Sequence, residues 1–335
     1  MNVDFCNGKA YLVDSKELKE KIFIECESLF GTSLKRDNFP GPQPVAFERK
    51  DFPLKEEYMV CEKSDGERAI LLLLHINDKP MCFMINRKNE FYFMDFSFKK
   101  EVFEGSIFDG EIIKTKAGTW KSSSETNVIP SNEGTWNYLI HDCMAYNGTS
   151  FLELSHRLRY ACIIDFIVKR YVNKETDCLN IKTKLFYKYG NEIAKTWEHI
   201  KKTTENEIDG MIFTHVDKPI IFGRDNSLFK WKENNTIDFL VKVVSKKMNL
   251  YYYKKALAIY KSFKSDNINY NSVIDFVPES VDLTKGVIIE FKISKDLETF
   301  TPYKIRTDKS HPNGEITLKN TLKNIEESLD VSDLF

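Results

Sequence analysis

Neither sign of charge dominates this chain of 335 residues: 49 lysines and arginines against 50 aspartates and glutamates leave a net charge of −1. That balance excludes a global basic field, so any site for a polyanion must be local. Glycine is scarce, with 14 residues against 25 phenylalanines and 15 tyrosines, which fits many short strands and large core side chains. The seven cysteines contain no C-x-x-C pair and no zinc spacing, and an odd, scattered set points to free thiols in a reducing compartment. No apolar run approaches the roughly 20 residues that span a bilayer, so no membrane role is expected. Met1-Asn2-Val3-Asp4-Phe5 lacks the charged start of a signal peptide. At 42% hydrophobic and 30% charged the composition is globular, and the length suits two domains.

The pattern along the chain is α+β. Ser15 and the apolar spacing Leu18, Ile22, Cys26 and Leu29 predict a capped helix over 15–30. Phe39-Pro40-Gly41-Pro42-Gln43-Pro44-Val45 reads as an ordered loop or edge strand. Apolar or alternating runs predict strands at 57–62, 68–76, 80–86 and 91–95, with a turn at Asn77-Asp78. A strand pair is expected around the Asp109-Gly110 of 107–113, then a polar hairpin excursion over 117–135, then a strand from Trp136 to a turn at Asn147-Gly148. Leu154, Leu158, Ala161, Ile164 and Val168 recur at helical spacing within 153–172, and a second helix is predicted over 190–202. Strands follow at 207–214 and 227–232. Glu233-Asn234-Asn235-Thr236 is the best hinge, dividing the chain into domains 1–236 and 237–335. The second is strand-rich and ends in an amphipathic helix over 315–330.

One stretch organises the rest. Cys61-Glu62-Lys63-Ser64-Asp65-Gly66-Glu67-Arg68 places a lysine between apolar segments, and reads as two strands flanking a tight turn that carries Lys63. A lysine held against a core, near other cations, loses part of its preference for the charged form and can act as an amine nucleophile. Lys-Trp-Lys at 230–232 puts both ammonium groups on one face of a strand and the indole on the other. That pairing suits a phosphate, and equally a half-exposed antiparallel strand. Between Phe239 and Ser265 stand seven lysines and no acid, interleaved with Tyr251, Tyr252, Tyr253 and Tyr260. This composition suits backbone phosphates and stacked bases.

Several spaced strings together resemble the motifs of messenger-RNA capping enzymes of the GTP:RNA guanylyltransferase type, relatives of the DNA and RNA ligases. They are Lys63-Ser64-Asp65-Gly66-Glu67-Arg68, Phe108-Asp109-Gly110-Glu111, and Tyr138-Leu139-Ile140-His141-Asp142-Cys143 with Asn147-Gly148. Asp209-Gly210-Met211-Ile212-Phe213-Thr214 follows, then Leu228-Phe229-Lys230-Trp231-Lys232 leading to Asn235-Thr236-Ile237-Asp238-Phe239, and finally Arg306-Thr307-Asp308-Lys309 with His311-Pro312-Asn313. The resemblance runs from about residue 40, including Gly41-Pro42-Gln43-Pro44-Val45, to about residue 315.

The resemblance implies a nucleotidyltransferase domain of mainly antiparallel sheets with flanking helices, and a C-terminal OB-fold β-barrel that closes as a lid. It implies that Lys63 attacks the α-phosphate of GTP, releases pyrophosphate, and passes GMP to the 5′-diphosphate end of RNA. Arg68 and Arg87 would contact ribose and phosphate oxygens, Glu111 the ribose or the metal, and His141 would stack on the guanine. Phe or Tyr is usual at the stacking position. Thr183 and Lys184 fall in the segment that bonds the guanine edge, and Lys230 and Lys232 on the phosphates. Arg306 and Lys309 would take the β- and γ-phosphates. Asp209, with Glu111, would help hold magnesium or manganese. No His-Cys-x5-Arg phosphatase loop is present and there is no room for a second catalytic domain. A separate RNA triphosphatase and a separate cap methyltransferase are therefore implied, with the phosphorylated tail of RNA polymerase II as a partner and the nucleus as location. An ATP-dependent polynucleotide ligase and a non-catalytic RNA- or polymerase-tail-binding scaffold are the alternatives.

Overall fold

Every residue of Ala69–Leu74 is buried, because a sheet covered on both sides takes a continuous apolar run in place of an alternating one. Ala69, Leu71 and Leu73 enter one core with Ile163 and Phe166, whereas Ile70, Leu72 and Leu74 enter another with Ile22, Phe23 and Cys26. The first pair comes from helix α2 (His156–Lys169) and the second set from helix α1 (Lys16–Phe30). The computed structural model describes the chain except Asn7, Asp37, Phe52, Pro53, Lys55, Glu56, residues 117–133, Asn173, Glu175, Thr176, Asp308, Ser328 and Phe335. The chain folds as two compact units, one from Met1–Phe47 and Pro53–Trp231, the other from Glu48–Phe52 and Lys232–Leu334. The architecture is mixed α+β and mostly sheet.

The first unit holds a nine-stranded sheet whose centre runs Lys79–Asn86, Glu67–Ile76, Ser106–Lys114, Trp136–Tyr146. A five-stranded sheet orders Tyr187–Lys188, Tyr58–Ser64, Ile208–His215, Gly223–Lys232 and Pro42–Ala46, so the proline-rich segment is an edge strand. Helix α3 (Ile193–Thr203) buries Trp197 edge-on to Trp231, with ring centroids 5.4 Å apart. Ser15 caps α1 by accepting from the Leu18 amide at 3.2 Å, as the sequence predicts. Asn77-Asp78 and Asn147-Gly148 take positive φ, the signature of a tight hairpin turn.

Three expectations change. Lys63 lies within the strand Tyr58–Ser64, and the turn follows at Asp65-Gly66. Residues 107–113 form no strand pair: Asp109-Gly110 sits inside one continuous strand, Ser106–Lys114. A Cβ on Gly110 would meet the Tyr138 ring at 2.6 Å and the Leu139 carbonyl at 2.7 Å, so this glycine serves close packing and not a turn. In α2 the predicted apolar stripe faces outward, with Leu158 55%, Ile164 40% and Val168 73% exposed. The buried side carries Arg159 with Ile163 and Phe166, because the buried carboxylate of Asp142 draws Arg159 inward. The hairpin excursion expected over 117–135 falls mainly on 117–133, outside the described residues. At its ends the Thr115 amide donates to the Thr135 carbonyl at 2.9 Å, and the Thr135 amide to Thr115 Oγ1 at 2.8 Å.

The second unit is a five-stranded antiparallel sheet in the order Ala256–Lys264, Lys247–Lys254, Thr236–Val244, Val287–Ile293, Phe300–Ile305. Its inner face buries Phe239, Val241, Leu250 and Phe291 under α4 (Ile268–Phe276) and α5 (Glu315–Glu327) through Val273, Leu318 and Ile325.

Candidate active site

Lys63 is the penultimate residue of its strand. The neighbouring strand pairs Ile208 with Ser64 and Gly210 with Lys63, leaving Asp209 as the extra residue of a bulge. A bulge re-aims its side chain, and here Asp209 Oδ1 accepts from Lys63 Nζ at 2.7 Å. Lys63 and Asp209 keep 22% and 29% of their side chains exposed, so the pair is open to a ligand. Phe229 packs on Tyr58 with ring centroids 5.9 Å apart, and Tyr58 lies on the opposite face of its strand from Lys63. By the two-residue period Lys230 therefore leaves its strand on the face that Lys63 uses. One strand separates the strands that carry them, which lie about 10 Å apart across the sheet. Lys232 shares the parity of Lys230 and is the first residue of the second unit.

Arg68 is the second residue of the strand Glu67–Ile76, opposite Glu111. Its guanidinium makes a two-pronged pair with Asp109: Nε donates to Oδ1 at 2.9 Å, and Nη2 donates to Oδ2. Nη1 donates to the Pro42 carbonyl at 2.5 Å, and the cation lies over the Phe39 ring at 5.1 Å. The loop of Gly41 and Pro42 is thus seated on Arg68. Asp109 is fully buried. Burial alone would raise its carboxyl, but Arg68 and His141 outweigh burial and hold it below the ordinary carboxylate range. His141 occupies a second bulge, between the pairs Ile140–Gly110 and Asp142–Asp109. Its Nε2 stands 3.4 Å from Asp109 Oδ1 while 24% of the ring stays exposed.

Thr183 ends a short strand parallel to that of His141, and its Oγ1 donates to the Ile140 carbonyl at 3.3 Å. Lys184 is buried, and its Nζ donates to the Glu62 carbonyl at 3.1 Å, to Ser64 Oγ at 3.0 Å and to Glu111 Oε2 at 3.5 Å. Burial pushes this ammonium down, but Glu62 and Glu111 outweigh it and raise the group. The three donors of Lys184 are therefore engaged within the protein. Glu111 also accepts from the Gly66 amide at 3.3 Å. Arg87 sits in the turn after its strand, exposed as a residue. Desolvation of its guanidinium and the nearby Arg68 hold it below its usual value, against Glu111 and Asp109. Lys63, Asp209, Lys184, Glu111, Arg68 and His141 are thus linked through contacts or adjacent strands of one unit. Among the described residues no three His, Cys, Asp or Glu side chains converge as a metal cage. Asp209 is held by Lys63, and Glu111 by Lys184 and Gly66.

In the second unit Arg306 Nη1 donates to Asp238 Oδ1 at 3.2 Å and to Glu290 Oε2 at 3.3 Å, and Lys309 Nζ donates to Asp238 Oδ2. Asp238 is buried at 4% exposure, so two cations converge on one carboxylate.

Residues 9–234 match the family model of the mRNA capping enzyme catalytic domain. The chain belongs to the mRNA capping enzyme family. The mRNA-capping enzyme subunit alpha of Schizosaccharomyces pombe is 32% identical over 252 residues, which cover 69% of this chain and 58% of that one. The Kluyveromyces lactis subunit alpha is 31% identical over 241 residues, 63% of this chain and 48% of that one. The chain thus spans about half the length of these curated relatives. A solved structure, mycobacterial DNA ligase D complexed with ATP and MES, aligns at 11% identity over 82% of this chain and 97% of that chain, with a TM-score of 0.46.

Within this capping-family chain the strings named from the sequence carry further contact residues that sequence reasoning left without a role. Asp109 holds Arg68 and His141 together, Glu62 and Ser64 hold Lys184, and Asp238 holds Arg306 and Lys309. The available signal was an acid inside an apolar strand. Asp109 follows Ile107-Phe108, and Asp238 stands between Ile237 and Phe239. A buried carboxylate in such a run demands a cation.

Proposed function

We propose that this chain is an mRNA guanylyltransferase. Lys63 Nζ attacks the α-phosphorus of GTP, the N–P bond forms, and the Pα–O bond to the β-phosphate breaks to release pyrophosphate. GMP then passes from Lys63 to the terminal phosphate of a 5′-diphosphate RNA end. The observation that carries this reading is the setting of Lys63: a part-exposed amine in a rigid strand, 2.7 Å from Asp209 and on one sheet face with Lys230. The proton that leaves Nζ before attack has Asp209 Oδ1 as an acceptor in hand, and Lys230, on the same sheet face, would offset developing phosphoryl charge. Arg68 is held rigid by Asp109 and Pro42, a preorganised donor for ribose or phosphate. His141, part-exposed beside Asp109, offers a ring face to a purine.

A magnesium ion takes most of its ligands from water and substrate phosphates, and one carboxylate suffices to seat it. Asp209 fits that need, with Glu111 as a second carboxylate of the same unit. Such an ion would supply charge neutralisation at the triphosphate. We read the second unit as an OB-fold lid. Its antiparallel sheet with packed helices supports that reading, and by the family resemblance Arg306 and Lys309 would take the β- and γ-phosphates. A partner RNA triphosphatase, the phosphorylated polymerase tail and a nuclear site of action complete the proposal.

Incubation with α-labelled GTP, followed by denaturing electrophoresis, tests it. Label should remain on the wild-type chain from GTP and be absent from Lys63→Ala. Label from ATP alone would assign the chain to the polynucleotide ligases, and no label from either would leave a binding scaffold.

A further inference from the structure

In the second unit the sheet has an outer face that the two helices do not cover. Phe239, Val241, Met248 and Leu250 point into the core, so the alternate residues of the same strands point out. The register places Leu240 opposite Tyr251, Tyr251 opposite Ile259, and Tyr253 opposite Leu257 on that outer face. Tyr253, Leu257 and Ile259 are 41%, 45% and 55% exposed. The Tyr253 ring is held edge-on by His311, with ring centroids 5.4 Å apart. Further along the same face, Lys242 lies opposite Asn249, and Lys247 opposite both Val244 and Lys264.

Asp238 and Glu290 share the outward parity of Leu240 and Ile288 but are engaged by Arg306, so the charge left uncompensated on this surface is one-sided. Lys254 and Lys261 are paired with Glu315 and Glu298. Lys242, Lys247 and Lys264 have no carboxylate partner among the described residues. Lysines on the edge strand Ala256–Lys264 could serve merely to block pairing with another sheet. That explanation does not reach Lys242 and Lys247, which stand on inner strands, nor the outward Tyr253 and Ile259. At the other end of the face the Tyr253 amide donates to the Asn313 carbonyl at 2.9 Å, and Asn313 Oδ1 accepts from the Asp238 amide at 2.8 Å. The apolar platform therefore adjoins Asp238, where Arg306 and Lys309 converge.

We infer that this outer face binds single-stranded RNA behind its 5′ end. Bases stack on Tyr253 and Tyr251 with Leu257 and Ile259 beside them, and the backbone phosphates meet Lys242, Lys247 and Lys264. Flat rings flanked by unpaired ammonium groups suit a chain with a π-face and a charge at every unit. An acidic peptide would use the charges but would leave the rings without a role. The inference rests on the guanylyltransferase reading for the identity of its RNA.

The test uses the full chain and fluorescein-labelled 5′-diphosphate RNA oligomers of about 3 and about 12 nucleotides, with binding read by anisotropy over a salt series. Affinity should rise with length. Tyr253→Ala should weaken the longer oligomer about tenfold. The exposed pair Lys247→Ala/Lys264→Ala should reduce the slope of log affinity against log salt by about 1.4. Thermal melts of each variant check that it is folded. Equal affinity for both lengths overturns the inference, and so do folded variants that bind the longer oligomer as the wild type does. So does a phosphorylated acidic peptide that needs these residues and is not displaced by RNA. GMP labelling of the wild type on the same preparation separates the two claims: its absence sinks the proposed function, whereas normal labelling with unchanged RNA binding sinks only this surface.

Discussion

At the scale of single residues, the site is a set of buried or half-buried charges that satisfy one another before any ligand arrives. Lys184 shows this best, because its ammonium closes on Glu62, Ser64 and Glu111 beneath the strand that carries Lys63. Lys184→Met should cost about 3 kcal/mol, since removing one partner strands the other's buried charge. The pH dependence has a definite sign. Burial already raises Glu62, with Lys184 opposing. An acid whose folded value lies above its unfolded one adds stability that is present below the ordinary glutamate value, about 4.3, and is lost as pH rises through the folded value. Without Lys184 that loss deepens, so the deficit in melting temperature should be larger at pH 8 than at pH 5. Equal deficits would show that Glu62 does not feel Lys184.

At the scale of elements, the strand Ser106–Lys114 ties the site together, carrying Asp109 and Glu111 on either side of Gly110. Gly110→Ala would drive a methyl group into the Tyr138 ring and the Leu139 backbone. Overpacking of this kind costs about 1–3 kcal/mol, and displacement of the Tyr138 strand would shift His141 with it. Chemical denaturation should register the first effect and, on the proposed function, weaker GTP binding the second; a variant of unchanged stability would contradict this packing. The sequence made most strands legible, because an apolar run such as Ala69–Leu74, short and set between Asp65-Gly66 and Asn77-Asp78, fits a buried strand. It misjudged this strand, because Asp-Gly is turn chemistry wherever no aromatic ring needs the space above the glycine. It misjudged the faces of α2 for a related reason. Period alone ranks Leu158, Ile164 and Val168 as core, and nothing local announces that Asp142 will draw Arg159 inward instead.

At the scale of the whole molecule, spaced strings told more than any element. Lys63 with Arg68, Asp109, His141 and Asp209 come from four stretches of the first unit, and only the fold brings those stretches together. Their order and spacing were readable; their contacts were not, because bulges at Asp209 and His141 decide where those side chains point. The second unit adds a constraint of another kind. Asp238 engages Arg306 and Lys309 at once. An incoming anion that recruits these cations must displace a carboxylate already in place, so the fold imposes a threshold on charge. On the proposed function a polyphosphate should clear the threshold by contributing several charges together, and a lone orthophosphate should contribute too little. Asp238→Asn should lower that threshold and narrow the preference for pyrophosphate over orthophosphate in equilibrium binding. An unchanged ratio would mean that the carboxylate is a passive anchor. On this view Asp238 is a filter set ahead of the chemistry, and it lets the crowded anions of a cell pass by without occupying the arginine and lysine.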